Sequence, residues 1–210
     1  MKKITRKKHL EMTLQSIPSH PNPKVGLEQY STPSVIASDL IWNAYSLGDI
    51  ENKSIIDLGC GTGVFAVASA LMGAYSSIGI DIDEESVNLA NYIKDKLELD
   101  NLKFIVSDID EFNDTLSVDT VFQNPPFGSQ KNADSGADLR FIQKAIDLKC
   151  SVLYSFHMAS TEDFLIKYYE DNSLEITHIF RYVFPIPKIY DFHTKETQNV
   201  DVIVIRANLK

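Results

Sequence analysis

Ser54-Ile55-Ile56-Asp57-Leu58-Gly59-Cys60-Gly61-Thr62-Gly63-Val64 is the stretch that decides the fold. A short apolar run ends on an acid, glycines follow at alternate positions, and apolar sequence then resumes from Gly63 to Met72 as a helix. Glycines let a backbone approach a ligand closely and leave the helix N-terminus facing it. One isolated glycine would need no more than a tight turn. Several behind an acidic strand end point to a nucleotide-like ligand.

Working outward, the pattern alternates. Apolar runs at 77–82, 103–107, 120–123 and 151–156 read as strands. Amphipathic spacing predicts helices over 84–97, with Asp83 as cap, over 137–148 and over 161–172. The segments 175–184 and 201–207 read as two more strands with no helix between them. Such alternation predicts an α/β fold, a doubly wound and mostly parallel sheet, closed by an antiparallel hairpin. Upstream, residues 1–16 read as a helix with a basic start and with Leu10 and Leu14 on one face. Thr32 is placed to cap a helix running to about Leu47, with Pro33 at its first position. The expectation is one domain over 1–210, with an N-terminal helical segment (1–48) and a catalytic core (49–210).

Composition excludes little. With 210 residues, 44% hydrophobic and 23% charged, the chain matches an ordinary globular domain. No apolar run resembles a membrane span or a signal-peptide core. Cys60 and Cys150 fit neither disulfide nor metal-ligand spacing, and the histidines lack it too, so no metal and a reducing, cytoplasmic setting are expected. The net charge of −9 is uneven. Residues 49–120 hold fifteen Asp/Glu against four Lys/Arg, while residues 1–48 hold six Lys/Arg against three Asp/Glu. A local basic surface, not the sum, governs contact with nucleic acid.

The strand ends narrow the cofactor. A dinucleotide fingerprint G-x-G-x-x-G would need glycine where Val64 stands. Asp57 suits the ammonium of a methionine moiety, which a pyrophosphate site would not want. Asp81, in Gly79-Ile80-Asp81-Ile82, can bond both ribose hydroxyls. Asp108 and the backbone of Ile109 can hold the adenine amine and a ring nitrogen. Together these acids point to S-adenosylmethionine over a nicotinamide cofactor.

Asn124-Pro125-Pro126-Phe127 follows the strand at 120–123. An exocyclic aromatic amine is a poor nucleophile because its lone pair is delocalised into the ring. The Asn124 side-chain oxygen and the Pro125 carbonyl can accept its two N–H bonds and favour a pyramidal nitrogen. The fixed φ of Pro125 and Pro126 preorganises both acceptors. Phe127 would stack on the base, a contact worth roughly 1–3 kcal/mol. On its own, this turn reads only as a grip for a planar amine or amide.

Taken together, these residues resemble the adenine-N6 methyltransferases of small-subunit ribosomal RNA, the methyltransferase-like protein five family with its archaeal relatives. The resemblance rests on Leu27-Glu28-Gln29-Tyr30-Ser31-Thr32, Asp57 to Val64, Gly79 to Glu84, Asn124 to Gly128, Tyr154 to His157 and Tyr190 to Lys195. It implies a seven-stranded Rossmann-like, S-adenosylmethionine-dependent methyltransferase fold with a C-terminal antiparallel hairpin. It implies cofactor contacts from Gln29, Tyr30 and Thr32 in a covering segment, and from Asp57, Gly59, Gly61, Thr62, Gly63, Val64, Asp81, Ile82, Asp108 and Ile109. Asn124, Pro125, Pro126 and Phe127 would carry catalysis. It further implies a ribosomal RNA substrate and a small zinc-binding activator protein docked on an edge of the sheet. Met158-Ala159 and Asp191 depart from the family's more basic pattern. Other planar acceptors share the same turn, namely guanine N2, DNA adenine N6 and protein glutamine N5. A catalytically idle partner subunit is the rival of another class, and the intact turn argues against it.

Overall fold

In the computed structural model, residues 4–20, 22–24, 29–113, 117–126, 136–187 and 197–209 are described. The strands are β1 (Ser54–Leu58), β2 (Ser76–Asp81), β3 (Leu102–Val106), β4 (Thr120–Gln123), β5 (Val152–Met158), β6 (Leu174–Pro187) and β7 (Thr197–Leu209). They form one seven-stranded sheet in the order β3-β2-β1-β4-β5-β7-β6. The first five pair in parallel, whereas β7 runs antiparallel between β5 and β6. The expected parallel sheet with a terminal hairpin is what the chain forms.

The helices are α1 (Lys7–Gln15), α2 (Ser34–Ser46), α3 (Val64–Leu71), α4 (Glu84–Lys96), α5 (Ala137–Asp147) and α6 (Glu162–Asp171). Successive strand residues point to opposite faces, which sorts the apolar residues into two cores. Ile55, Phe122, Tyr154, Phe156, Val202 and Val204 pack with α1 to α4. Ile56, Leu58, Val121, Leu153, Ile203 and Ile205 pack with α5 and α6 on the other side. Every residue of α3 is buried, as befits a helix apolar all round. Phe65 of α3 stacks on Phe122 at 5.8 Å between centroids, and Phe122 stacks on Tyr154 at 4.9 Å.

Beside the aromatic ladder lies a buried ion pair. Arg206 of β7 donates from Nε and Nη2 to Asp49 at 2.8 and 2.9 Å, and the Tyr154 hydroxyl donates to the same carboxylate at 2.6 Å. Losing one member of such a pair strands a buried charge at a cost of about 3–5 kcal/mol. The pair ties the connection before β1 to β7.

One N-terminal expectation needs correction. Thr32 does not cap α2. Pro33 holds that position with φ −55°, and no side-chain cap bond forms. Lys7, in the basic start of the first helix, is paired with Asp39 of α2. Lys2 and Lys3 lie outside the described residues. The sheet order reverses between β1 and β4, and the C-terminal ends of the parallel strands open a crevice there.

Candidate active site

The loop after β1 is shaped by hydrogen bonds to its neighbours. Cys60 N–H donates to Ile80 O across the sheet at 2.9 Å, and Gly63 N–H closes a turn onto Cys60 O at 2.8 Å. Gly63 then starts α3 with φ +88°, where an added Cβ would lie 2.5 Å from the ring of Phe104. Gly61, at φ +52°, faces open space with nothing within 4 Å of a Cβ position. Gly63 is therefore demanded by packing, and Gly61 leaves room for a ligand.

Asp57 is buried, and its Oδ2 accepts the Ala66 N–H in the first turn of α3 at 3.0 Å. Burial pushes its carboxyl up to about 8, against the pull of that amide. Asp81 uses Oδ2 to accept from Gly61 N–H at 2.7 Å and Oδ1 to accept from Asp83 N–H at 2.9 Å. Burial raises its pKa as well, and the two amides oppose the rise. Asp83 gathers His20 Nε2 at 2.6 Å, Gln29 Nε2 at 2.9 Å, Ser86 Oγ at 3.1 Å and the Lys24 ammonium. Burial alone would raise this carboxyl, but the four partners outweigh it and hold the group well below the usual range. The covering segment is thereby fastened to the end of β2.

Asp108 receives Arg140 of α5, which also donates to Asp110 at 2.7 Å. Ser107, expected as the last residue of the strand, stands with Asp108 just past β3, which ends at Val106. On the far side of the crevice, Gln123 ends β4 with Nε2 bonded to Ser155 Oγ at 2.9 Å. Asn124 then directs Nδ2 to Thr32 Oγ1 at 3.0 Å. Its Oδ1 is buried and has no hydrogen-bond partner among the described residues. Ser69 Oγ and Gln123 Oε1 share that condition, but only Asn124 lines the cleft. On β5, His157 is buried, with Nδ1 3.1 Å from Asp138 Oδ2 and Nε2 3.4 Å from the Tyr169 hydroxyl. Burial lowers the imidazole pKa, and Asp138 opposes the fall.

Asp57, Asp81, Asp108 and Asn124 border one cleft of about 320 Å³, whereas Asp83, Gln123 and His157 stand outside its lining. Of the residues singled out from sequence, Gln29, Tyr30, Thr32, Asp57, Gly59, Gly61, Thr62, Val64, Asp81, Ile82, Asp108, Ile109, Asn124 and Pro126 line it. Gly63 and Pro125 do not, since Gly63 packs on Phe104 and Pro125 is buried beneath the turn. Phe127, Gly128, Leu27, Glu28 and the Tyr190–Lys195 segment lie outside the described residues. His20, Arg140 and Phe141 also line the cleft and were not anticipated. Their partners Asp83 and Asp108 are 63 and 32 residues away in sequence, so no local motif marks His20 or Arg140.

The donor set fits S-adenosylmethionine. Buried acids at two strand ends could answer an ammonium and a ribose, Gly61 leaves open space, and Asn124 opposite keeps an unpartnered oxygen. Among the described residues, no group of three His, Cys, Asp or Glu could hold a metal, and no helix is long and apolar enough to cross a membrane.

Comparison with known proteins agrees with this geometry. A family model described as a methyltransferase domain matches residues 49–174. The chain is 34% identical to the rRNA N(6)-adenosine-methyltransferase METTL5 of Danio rerio, covering 95% of this chain and 97% of that protein. It is 44% identical to MJ0284 of Methanocaldococcus jannaschii, covering 97% of this chain and 94% of the relative. The crystal structure of PH1948 from Pyrococcus horikoshii superposes with a TM-score of 0.87 at 38% identity, covering 98% of both chains.

Proposed function

This chain belongs to the methyltransferase domain family and to the same family as METTL5, and on that premise we propose the reaction it performs and the residues that perform it. The chain is an S-adenosylmethionine-dependent methyltransferase that transfers methyl to N6 of an adenine in small-subunit ribosomal RNA. The observation that carries the residue assignment is the buried, unpartnered Oδ1 of Asn124 on the wall of a cleft lined by Asp57, Asp81 and Asp108.

When bound, S-adenosylmethionine supplies an electrophilic methyl on a positively charged sulfur. Asp57 holds the ammonium of its methionine part, Asp81 the ribose hydroxyls, and Asp108 with the Ile109 backbone the adenine. Asn124 Oδ1 accepts an N–H bond of the target amine, which helps free its lone pair to point at the methyl. The cofactor would give up its methyl to the acceptor nitrogen and retain the electron pair of the broken C–S bond, and the residues named here would do the aligning. The amine then releases its extra proton to solvent. The protein's main contribution is alignment, since in-line placement of nucleophile and methyl removes much of the entropic barrier. Phe127 stacks on the base, which must be unpaired or turned out of its helix to enter.

A small zinc-binding protein is the partner we assign to an edge of the sheet. The β3 edge, where Val106 is exposed, offers an apolar contact for it. The setting is cytoplasmic.

Mass analysis of nucleosides from small-subunit ribosomal RNA, with and without this protein, tests the function. Loss of one N6-methyladenosine per small subunit, restored by purified protein and cofactor, is the expected result. Unchanged N6-methyladenosine, or methyl appearing on guanine N2 or on protein glutamine, would overturn it.

A further inference from the structure

The two ends of the Asn124 amide are nearly the same shape and opposite in chemistry. Oδ1 accepts hydrogen bonds, whereas Nδ2 only donates. An amine offers N–H bonds, so a half-turn of the amide about its last torsion would set donor against donor. That torsion is soft, and nothing within Asn124 itself chooses between the two settings.

Thr32 supplies the choice. Its Oγ1 lies 3.0 Å from Asn124 Nδ2 across 92 residues of sequence, and Thr32 is itself only 9% exposed. Deprived of that acceptor, Nδ2 would be a part-buried donor lacking a partner. Leaving such a group unmade is costlier than forming it is favourable. The amide would then turn Nδ2 toward the cleft, where water or substrate could answer it. Thr32 is well held for this task. It directly precedes Pro33 and α2, whose residues Ile36, Ala37, Leu40, Ile41 and Ala44 are buried in the core.

We infer that Thr32 is a positioning residue for methyl transfer, setting the Asn124 side chain so that its oxygen, not its nitrogen, meets the acceptor amine. The inference rests on the amine-orienting role proposed above for Asn124. It also reassigns Thr32, which the covering segment's resemblance placed against the cofactor. The two roles separate in kinetics. A cofactor contact shows in affinity for S-adenosylmethionine, whereas an amide-setting contact shows in the rate of the bound complex.

The test compares Thr32→Val, which keeps the shape and loses the acceptor, with Thr32→Ser, which keeps the acceptor. Single-turnover transfer is measured on the acceptor that the wild type methylates, and cofactor affinity by calorimetry. Thr32→Val should slow transfer about tenfold, in line with loss of one part-buried hydrogen bond. Its cofactor Kd should stay within about twofold of wild type, and Thr32→Ser should recover most of the rate. Thr32→Ala, matched to Thr32→Val in melting temperature, serves if the valine variant folds poorly. A valine variant with full rate, a loss confined to cofactor affinity, or a serine variant as slow as valine would each overturn the inference. A wild type that methylates guanine or glutamine instead sinks the adenine assignment alone, because the valine–serine comparison still reads Thr32 on that acceptor.

Discussion

On the cofactor wall every acidic side chain is answered from within the protein, while on the catalytic wall Asn124 keeps an acceptor unanswered. Asp57 takes an α3 amide, Asp81 takes two loop amides, Asp83 takes four side chains, and Asp108 takes Arg140. Asn124 spends its donor on Thr32 and holds back its oxygen. The cofactor wall is therefore rigid before its ligand arrives, whereas the catalytic wall is satisfied only by the substrate amine. Affinity and rate should divide between the two walls accordingly.

The sharpest way to break this contrast is Asn124→Ala. Transfer should fall by about 10²–10³ in rate, the scale of one preorganised donor or acceptor at a reacting centre. Calorimetric cofactor affinity should remain, and an active variant would remove the division. Next in size, Asp81→Ala should weaken S-adenosylmethionine binding by about 10- to 100-fold, the worth of hydrogen bonds to a charged group. Full affinity in that variant would move the ribose contact elsewhere.

Asp57 gives a pH signature. Its folded carboxyl lies near 8, above the ordinary value, so the ligand-free protein holds a proton at neutral pH. Binding of an ammonium favours the ionised form and expels that proton. Between about pH 6 and about pH 7.5, cofactor affinity should rise with pH by up to about tenfold per unit, and Asp57→Asn should flatten the profile. Folding stability carries the opposite sign. The folded state holds a proton that the unfolded chain has released, so this group erodes stability as pH rises from about 4 to about 8. Urea unfolding of Asp57→Asn against wild type should show that slope removed.

The smallest effect belongs to Arg140. Its ion pairs with Asp108 and Asp110 are partly exposed, and exposed pairs contribute about 0–1 kcal/mol. Urea unfolding of Arg140→Ala should stay within about 1 kcal/mol of wild type. A larger loss would show that the rim of the cofactor wall is braced from α5.

The comparison also explains what could be read from sequence. β1 to β4, the glycine loop and the three strand-end acids were legible because each is a local pattern whose period or spacing has one physical cause. Strand bounds shifted by a residue or so, except in β6 and β7, which extend to Pro187 and Thr197 as a long hairpin. Thr32 and Arg140 were not legible in their roles. Thr32 precedes a proline and invites a capping assignment, yet its partner lies in another loop. Arg140 sits in an amphipathic helix, where a basic residue needs no special reason. Sequence patterns report what a residue does along its own element, and both of these residues act across the fold.

The place of β7 between β5 and β6 has a consequence for synthesis on the ribosome. Until residues 202–208 have been made, the edge of β5 from Val152 to Met158 has no neighbour on that side, and Asp49 and Tyr154 wait for Arg206, 157 residues after Asp49 in the chain. A nascent chain that already carries every parallel strand thus presents a bare, apolar strand edge of the kind that recruits other chains. Closing the sheet is a long-range event delayed to β7, so a stall or truncation before β7 leaves an aggregation-prone chain.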